Sequence, residues 1–444
     1  MNPTPPLDRR RVLAWCLFDF ANSAYSAVIV VAVFSVYYIS HIVGNERGLG
    51  DLWWGRAISA SLLLVVLSGP LLGALADRAG LRKRFFIAFT LVCIACVALF
   101  TTLAPGMVLQ GFTLIALANF GFESSQIYYN AYLPDIAPTE RLGTVSGLGF
   151  AIGYLGSIIG LVVALPLVNA HQFNLLWLLV ASFFAVFSIP AFLVLPADHP
   201  RPDTRVDLIR IFRDVWGNPP LRRFLLAFFI YFDGVETTIV FSGSFAATTL
   251  HFSATELIKL FLAVQFAALA GALLLARPTD RWGAKRVIAL TLILWIGVSI
   301  SAYFAQTQST FVAVAVTAGL GLGSIQAASR ALMASLIPPG KESELFGFYA
   351  LCGKSSSILG PLVFGAASYL AGNQRVAVAA VGVFFIVGLL LLQRVRPASR
   401  PSRSPRSPGS PSTWGSFSLP PPRPAGTSPR RCREPCPAPP ARCG

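Results

Sequence analysis

The stretch Gly73-Ala-Leu-Ala-Asp-Arg-Ala-Gly-Leu-Arg-Lys-Arg84 recurs in the second half of the chain as Ala276-Arg-Pro-Thr-Asp-Arg-Trp-Gly-Ala-Lys-Arg286. Both copies share the core Asp-Arg-x-Gly-x-[Arg/Lys]-[Arg/Lys], and each lies between two long apolar segments. A tight basic turn that occurs once in each half of a chain predicts a membrane protein built by duplication, an architecture typical of secondary transporters.

The composition places most of the chain in a membrane. Of its 444 residues, 55% are hydrophobic and only 12% are charged, whereas soluble domains carry roughly a quarter charged residues. The apolar residues come in runs of about 20 or more, the length that spans a bilayer, and helices satisfy their own backbone hydrogen bonds there. The sequence predicts an all-α membrane protein with twelve transmembrane helices in two parallel six-helix repeats, at 13–39, 54–75, 85–105, 107–133, 143–168, 174–195, 223–250, 255–276, 287–306, 309–336, 345–371 and 375–393.

Basic residues concentrate in alternate loops. Arg and Lys are frequent in the N-terminal segment, in both basic turns and in 196–222, and they are rare in the opposite loops. The positive-inside rule therefore predicts that these segments and both termini are cytoplasmic, and the membrane is expected to be a bacterial inner membrane. Basic loops explain the net charge of +16 better than nucleic-acid binding does, so no nucleic-acid partner is expected.

The chain is predicted to consist of four parts: a six-helix half at 1–195, a cytoplasmic linker at 196–222, a second six-helix half at 223–393 and a tail at 394–444. Pro and Arg mark the linker, and 206–215 within it predicts a short amphipathic helix on the membrane surface. The tail carries ten Arg and one Glu, which is +9 of the net charge, and few aliphatic residues. It is either a disordered cytoplasmic tail or the product of a shifted reading frame.

No sequence pattern indicates a cofactor or a metal. The seven Cys and four His lack zinc-ligand spacing, and the chain has no phosphate-binding Gly-x-x-x-x-Gly-Lys-[Ser/Thr] motif. It also lacks a pairing of nucleophile and base. We therefore expect neither an enzyme nor an ATP-driven pump, and the protein is expected to act as a monomer.

Polar residues inside the predicted helices are candidates for a transport site, because such residues are costly in a membrane. They form stripes on the first and fourth helices of each half, and the eleventh helix adds one lysine. At a rise of about 1.5 Å per residue, the charged ones fall between the inner surface and the midplane. The predicted substrate and coupling residues are Asp19, Asn22, Glu123, Gln126, Asn130, Asp233, Glu236, Gln326, Arg330 and Lys354.

Four acids against two bases in this belt leave at least one carboxylate poorly paired, which suits proton coupling. Glu123 has no basic residue within four positions and no acidic counterpart in the other half, so it is the candidate proton carrier. Asp233 and Arg330 are expected to orient the substrate, and Asp233 with its neighbouring acid is the alternative carrier. Structural roles stay open as well: Arg330 could snorkel to the inner surface, and Asp19 could pair with Lys354 or Arg330.

The basic turns predict a gate and not a substrate site. Their glycines permit a tight turn and a close approach of helices. Asp77 is placed to accept the N-terminus of a neighbouring helix, and Arg78 is placed to pair with a carboxylate. The second copy has Arg277-Pro278 in place of small apolar residues, so a weaker contact is expected there. The predicted gating residues are Gly73, Asp77, Arg78, Gly80, Arg82, Asp280, Arg281 and Gly283.

Four segments carry a family resemblance: Trp15-Cys-Leu-Phe-Asp-Phe-Ala-Asn-Ser-Ala-Tyr25, Tyr231-Phe-Asp-Gly-Val-Glu-Thr237, Gly323-Ser-Ile-Gln-Ala-Ala-Ser-Arg330, and Phe346-Gly-Phe-Tyr-Ala350 with Lys354 and Gly360-Pro361. The basic turn resembles the loop signature of the major facilitator superfamily. The four segments are similar to the autophagy-related vacuolar effluxer family and its bacterial relatives over residues 10 to 393. For fungal members the resemblance implies export of amino acids such as leucine and tyrosine from the vacuole.

These features predict a secondary active transporter of a small polar solute, an amino acid, that works by proton-coupled alternating access in the lipid bilayer. The central cavity is expected between the halves, lined by the first and fourth helices of each. Two alternatives stay open. Drug or metabolite efflux would be favoured by a larger, more apolar cavity, and a non-transporting sensor or scaffold would keep partner binding without transport.

Overall fold

The computed structural model describes residues 8–44, 49–197, 213, 215–356, 359–371 and 374–395, and these residues are almost entirely helical. Short 3-10 and one-turn helices lie in the connections. The principal helices are α1 Arg9–Tyr25, α2 Leu49–Ala79, α3 Arg82–Leu99, α4 Val108–Ala131, α5 Leu142–Asn169, α6 Phe173–Val194, α7 Pro219–Thr249, α8 Ala254–Trp282, α9 Ala284–Phe304, α10 Gln308–Leu336, α11 Glu342–Ser356, α12 Leu359–Ala371 and α13 Gln374–Gln393.

Each of the twelve predicted spans overlaps one described helix or, for the eleventh span, two of them, which confirms the predicted fold class. Ten helical segments of the described chain are long and apolar enough to cross a membrane. The other two predicted spans are α4, which carries a polar stripe, and the pair α11 and α12. Several helices extend beyond the apolar runs at their charged ends. For example, α8 continues to Trp282, past the predicted end at residue 276.

The first span is longer and less regular than the predicted 13–39. Beyond α1 it continues through π-helical turns at Ser26–Ala32 and Tyr38–Val43, with one α-helical turn, Phe34–Tyr37, between them. A run of β-branched residues, 28–31, occupies the first π-helical turn. Such residues lose side-chain freedom in a regular helix, which accounts for the departure from α-geometry at this point.

Helices α1–α6 form one half of the bundle and α7–α13 form the other. The halves meet where α2 packs on α11 and where α5 packs on α8 and α10. Glycines permit these approaches: Gly73 lies against the backbone of Ser343, and Gly147 lies against the backbone of Ala272. Small residues at helix crossings are typical of packing in membranes.

Two predicted segments fall largely outside the described residues. Of the linker helix predicted at 206–215, only Arg213 and Val215 are described, and both are helical. Of the tail predicted at 394–444, only residues 394 and 395 are described. The second half begins at Pro219, a few residues before the predicted boundary at 223, because Asn218 caps α7 by accepting the Leu221 N–H.

Candidate transport site and gate

Both basic turns lie on one side of the helix bundle, which we call the basic side and define by residues 77–84 and 280–286. Each turn follows the end of a long helix, α2 or α8. The turn glycines adopt the left-handed conformation, with φ of 66° at Gly80 and 93° at Gly283. Residues with a Cβ rarely adopt this conformation, so the two glycines are needed to reverse the chain here.

Asp77, at the end of α2, binds the first turn of α11 in the opposite half. Its two carboxylate oxygens accept the backbone N–H groups of Ser343 at 3.1 Å and Glu344 at 2.9 Å. A carboxylate at a helix N-terminus is stabilised by the helix dipole and by these otherwise unsatisfied donors. The contact expected for Asp77 is therefore present, and Gly73 one turn earlier provides the close approach of the two helices.

Asp280 makes the equivalent contact in the second repeat, at the first turn of α5. It accepts the N–H of Gly143 at 2.6 Å, the N–H of Thr144 at 2.9 Å and the Thr144 hydroxyl. The second turn therefore makes the same type of contact as the first, and the expectation that it is weaker stays a prediction. The altered residues before Asp280 leave the geometry of its carboxylate unchanged, because the contact depends on the carboxylate and on the close approach of α5.

The arginines of the first turn depart from expectation. Arg78 was expected to pair with a carboxylate, but its buried Nη1 has no hydrogen-bond partner among the described residues. Arg82 takes the expected type of partner instead: its Nη2 lies 2.5 Å from Oδ2 of Asp135, and its Nη1 donates to the Ala131 carbonyl at 2.9 Å. Both partners lie within the first half, so Arg82 braces the turn internally. Arg281 lies exposed in the second turn.

Arg330 on α10 inserts into the opposite half and is almost fully enclosed, with 3% of its side chain exposed. Its guanidinium lies 3.3 Å from Asp19 Oδ2 and donates to Asn130 Oδ1 at 3.2 Å. It also donates to the hydroxyl of Ser146 at 3.0 Å and to its carbonyl at 2.8 Å. The acceptors come from α1, α4 and α5, so one side chain of the second half joins three helices of the first.

Aromatic rings complete this enclosure. The guanidinium carbon lies 4.0 Å from the ring centroid of Phe150, 4.6 Å from that of Trp15 and 5.7 Å from that of Tyr129. Trp15 stacks on Tyr129 and donates its indole N–H to the Tyr129 carbonyl at 2.9 Å. Trp15, Asp19, Tyr129, Asn130, Ser146 and Phe150 together form what we call the guanidinium pocket.

The contacts in the guanidinium pocket distinguish between the roles that the sequence left open for Arg330 and Asp19. Arg330 does not snorkel to a surface, and it lies in a different group from Asp233, with which it was expected to orient the substrate. Asp19 pairs with Arg330, one of the two partners considered for it. Asn22 supports this carboxylate by donating to Asp19 Oδ1 at 3.4 Å.

A second charged group joins the halves between α4, α7 and α11. Lys354 Nζ lies 2.7 Å from Glu123 Oε1, and the Glu236 carboxylate interacts electrostatically with the same ammonium. The Lys354 side chain is 33% exposed and that of Glu123 is 12% exposed, so solvent reaches this group. Glu123 pairs directly with the lysine and Glu236 is the second carboxylate near it, and we call these three residues the central triad.

Asp233 lies one turn before Glu236 on α7, outside the central triad itself, and is fully buried. Its Oδ1 accepts the Gly360 N–H at 2.9 Å, at the start of α12, and its Oδ2 has no partner among the described residues. The sequence required at least one poorly paired carboxylate, and Asp233 is that residue. Its contact from α7 to the start of α12 assigns it to packing inside the second half in this structure.

The remaining polar residues of the stripes lie around these groups. Gln326 accepts the hydroxyl of Tyr154 at 2.5 Å, across the halves, and Gln126 is half-buried one turn from Glu123. Sequence reasoning missed Tyr154, Ser146 and Phe150. All three lie on α5, and the close packing of this glycine-rich helix is what brings its side chains to Arg330.

The apolar cavity between α7, α9 and α10 lies inside the second half and not between the halves. It encloses about 90 Å³ and is lined mainly by aromatic and aliphatic side chains, among them Phe241, Phe245, Trp295, Phe311 and Phe364. Pockets for drug-sized ligands are roughly 300–1,000 Å³. Among the described residues, no group of three or more His, Cys, Asp or Glu side chains could hold a metal ion.

Two helical halves that are joined by reciprocal helix caps on one side, with charged groups between them, define a membrane transporter. Comparison with known families agrees. The family model of the Major Facilitator Superfamily matches residues 13–245, and that described as "Vacuole effluxer Atg22 like" matches residues 137–400. The chain belongs to the Major Facilitator Superfamily and, within it, to the Atg22-like family. It is thus an integral membrane transporter of small molecules and not an enzyme.

Individual relatives extend over most of the chain. An uncharacterized MFS-type transporter of Bacillus subtilis, YxiO, is 29% identical over 399 residues, which are 85% of this chain and 93% of the relative. Autophagy-related protein 22 of Cryptococcus neoformans is 28% identical over 291 residues, 58% of this chain and 53% of the relative.

Solved structures share the fold. The human organic anion transporter MFSD10 superposes with a TM-score of 0.70 at 16% identity over 88% of this chain and 100% of that one. FucP in its outward conformation superposes with a TM-score of 0.72 at 12% identity over 87% of this chain and 99% of that one.

Proposed function

We propose that this protein transports amino acids by proton-coupled alternating access across a bacterial inner membrane, as a monomer with its basic side in the cytoplasm. The central triad is the observation that carries the proposal. It contains one ammonium and two carboxylates and lies between the halves, and the Lys354 side chain is 33% exposed. A solute that carries one carboxylate and one ammonium complements it.

The binding mode follows from the charges. The α-carboxylate of an amino acid binds Lys354, which turns from Glu123 toward the substrate. The α-ammonium binds Glu236. Both contacts are charge-assisted hydrogen bonds, the stronger class in proteins. Lys354 exchanges Glu123 for the substrate carboxylate, and Glu236 gains a directly bound cation.

Proton coupling follows from the net charge of the central triad when the substrate is bound. The central triad carries one positive and two negative charges, and a zwitterionic amino acid adds no net charge. When Lys354 binds the substrate, Glu123 loses its cation, and an unpaired carboxylate in a low-dielectric site favours its neutral form. One proton on Glu123 therefore neutralises the loaded site, and substrate and proton cross together.

The contacts between the halves on the basic side support alternating access. Asp77, Asp280 and Arg330 close the basic side by contacts between the halves, so we infer that the solvent at Lys354 comes from the opposite side. The positive-inside rule makes the basic side cytoplasmic. Opening of the cytoplasmic side requires all three contacts to break, after which the central triad faces the cytoplasm.

Uptake by proteoliposomes tests this function. The purified protein is reconstituted, and accumulation of a panel of labelled amino acids is measured with and without an inward pH gradient. We expect accumulation of zwitterionic amino acids that collapses when the gradient is dissipated. Accumulation of the decarboxylated amines with equal efficiency would contradict the assignment of Lys354 to the carboxylate. Drug efflux would be favoured by a large apolar cavity between the halves, whereas the apolar cavity of about 90 Å³ lies inside the second half.

A further inference from the structure

The guanidinium pocket is built entirely by the first half, while its occupant, Arg330, belongs to the second. Trp15 and Asp19 lie on α1, Tyr129 and Asn130 on α4, and Ser146 and Phe150 on α5. In alternating access, parting of the halves on the basic side withdraws Arg330 and leaves these six side chains facing the basic side. A vacated pocket would hold a buried carboxylate without its cation, which is costly.

We propose that the guanidinium pocket is a binding site for a soluble organic cation that carries a guanidinium group, and that Arg330 is its tethered occupant when the basic side is closed. The proposal depends on alternation between the halves, which the superfamily fold implies, and not on amino acids or protons as cargo. A cation that enters from the basic side occupies the pocket in place of Arg330 and holds that side open.

The geometry of the pocket specifies a guanidinium. Four acceptor atoms surround the planar group: Asp19 Oδ2, Asn130 Oδ1, and the hydroxyl and carbonyl of Ser146, all at 2.8–3.3 Å. Three ring faces lie within 6 Å of its carbon. A guanidinium carries five N–H donors in one plane and stacks on aromatic rings, whereas an ammonium is a compact charge with three donors.

Gly149 gives the pocket its shape. A Cβ at this position would lie 2.9 Å from Arg330 Nη2 and 3.1 Å from Asp19 Oδ2. Only a residue without a side chain lets the guanidinium reach the backbone of α5 beside Asp19. The pocket is therefore a fitted site, and a methyl group at Gly149 is expected to exclude the cation.

The first experiment uses the full-length protein with labels at residues 84 and 286. Arg84 and Arg286 are exposed, and each lies in the first turn of the helix that follows a basic turn, so Arg84→Cys and Arg286→Cys, in a variant without the seven native cysteines, report the separation of the halves by pulsed electron spin resonance. Methylguanidinium is expected to increase the population of the longer distance. Methylammonium should need an at least tenfold higher concentration for the same increase. No change with methylguanidinium overturns the proposal.

The second experiment empties the pocket. In Arg330→Ala, methylguanidinium is expected to raise the melting temperature in a saturable manner, because it refills a pocket with no tethered competitor. The additional change Asp19→Asn should abolish this rise. The matched control is Arg375→Ala, which removes a guanidinium outside the pocket that binds the Tyr303 carbonyl at 3.0 Å and lies 5.8 Å from the Phe245 ring.

The outcomes separate this proposal from the proposed function. A rise in Arg330→Ala that equals the rise in Arg375→Ala, or that persists with Asp19→Asn, contradicts a specific pocket. If Arg330→Ala does not fold, the distance measurement on the protein with native Arg330 still decides. Neither readout involves amino acids, so failed amino-acid uptake leaves both informative.

Discussion

Asp77 and Asp280 occupy equivalent positions in the two repeats, and each caps the first turn of a helix in the opposite half. Asp77 reaches from the first half to α11, and Asp280 reaches from the second half to α5. The two contacts are therefore reciprocal, and the halves cannot part on the basic side while either remains. A symmetric pair of caps means that neither turn acts as gate alone.

The first prediction concerns these caps. Asp77→Asn and Asp280→Asn should each leave folding and membrane insertion intact but slow transport by a similar factor. The amide side chain keeps the shape but loses the charge at a helix N-terminus, an interaction worth up to about 2 kcal/mol. The ratio of closed to open protein falls by roughly tenfold for each 1.4 kcal/mol that is lost. Transport rates in proteoliposomes measure this.

Substrate affinity provides the contrast for the same variants. Both aspartates lie away from the central triad, so the KM for the substrate should change less than the rate. An Asp280→Asn protein with normal transport beside a slow Asp77→Asn protein would show that the second cap is structural only. Weakened substrate affinity with unchanged rates would move the aspartates from gate to site.

The second prediction concerns Lys354. Lys354→Met should lower the apparent affinity for amino acids by about a hundredfold, since removal of one partner of a hydrogen-bonded charge pair typically costs 2–5 kcal/mol. The measurement is KM for an amino acid against that for its decarboxylated amine. The matched control is Lys259→Met, a lysine near the start of α8 and exposed, which should leave both values unchanged. Equal losses for acid and amine would contradict carboxylate binding at Lys354.

The sequence predicted the helices and their membrane class because hydrophobicity and length determine them locally. The sequence also predicted that Asp77 contacts a helix N-terminus, because the basic turn places this acid beside the ends of neighbouring helices. It failed where the partner comes from a distant helix. Glu123 looked unpaired within its own helix, yet Lys354 of the other half lies 2.7 Å from it.

The guanidinium pocket shows the same limit. Asp19, Asn130 and Arg330 were recognised as costly polar residues, but Trp15, Tyr129 and Phe150 read as ordinary apolar residues of membrane helices. Their role depends on the crossing of α1, α4 and α5, which periodicity does not specify. Asp233 and Arg330 were expected to act on one substrate because both belong to one polar belt, but similar depth along two helices does not place two side chains on facing surfaces.

The third prediction concerns helix packing. Gly323→Ala should destabilise the protein by about 1–3 kcal/mol, the usual range for overpacking, because a Cβ there would overlap the Ala268 carbonyl where α10 crosses α8. Gly297→Ala on α9 is the matched control. No atom lies within 4 Å of its Cβ position, and alanine favours helix by roughly 0.5–1 kcal/mol. Thermal stability in detergent should fall for the first variant and hold or rise for the second.

The fourth prediction concerns orientation. Single cysteines at 44–50 and 170–173 should react with an impermeant thiol reagent added outside intact cells, whereas cysteines at 198–215 should react only after permeabilisation. The reason is the excess of Arg and Lys on the basic side. External labelling of 198–215 would invert the topology and place the caps of Asp77 and Asp280 on the outer side.

The fifth prediction concerns coupling through Glu123. In the proposed mechanism this carboxylate gives up Lys354 to the substrate and takes a proton in exchange. Glu123→Gln imitates the protonated state permanently, so the loaded site is neutral without a proton. The variant should still exchange substrate between equal pools, but it should no longer accumulate substrate when a pH gradient is imposed.

The control for this variant is Glu256→Gln. Glu256 is an exposed acid that caps α8 by accepting the Ser253 N–H at 2.8 Å, so the same substitution there should keep both exchange and accumulation. Lost exchange in Glu123→Gln would mean that Glu123 binds substrate directly. If Glu123→Gln accumulates substrate against its gradient, the carrier is another carboxylate, and Asp233, whose Oδ2 has no partner among the described residues, becomes the first to test by Asp233→Asn.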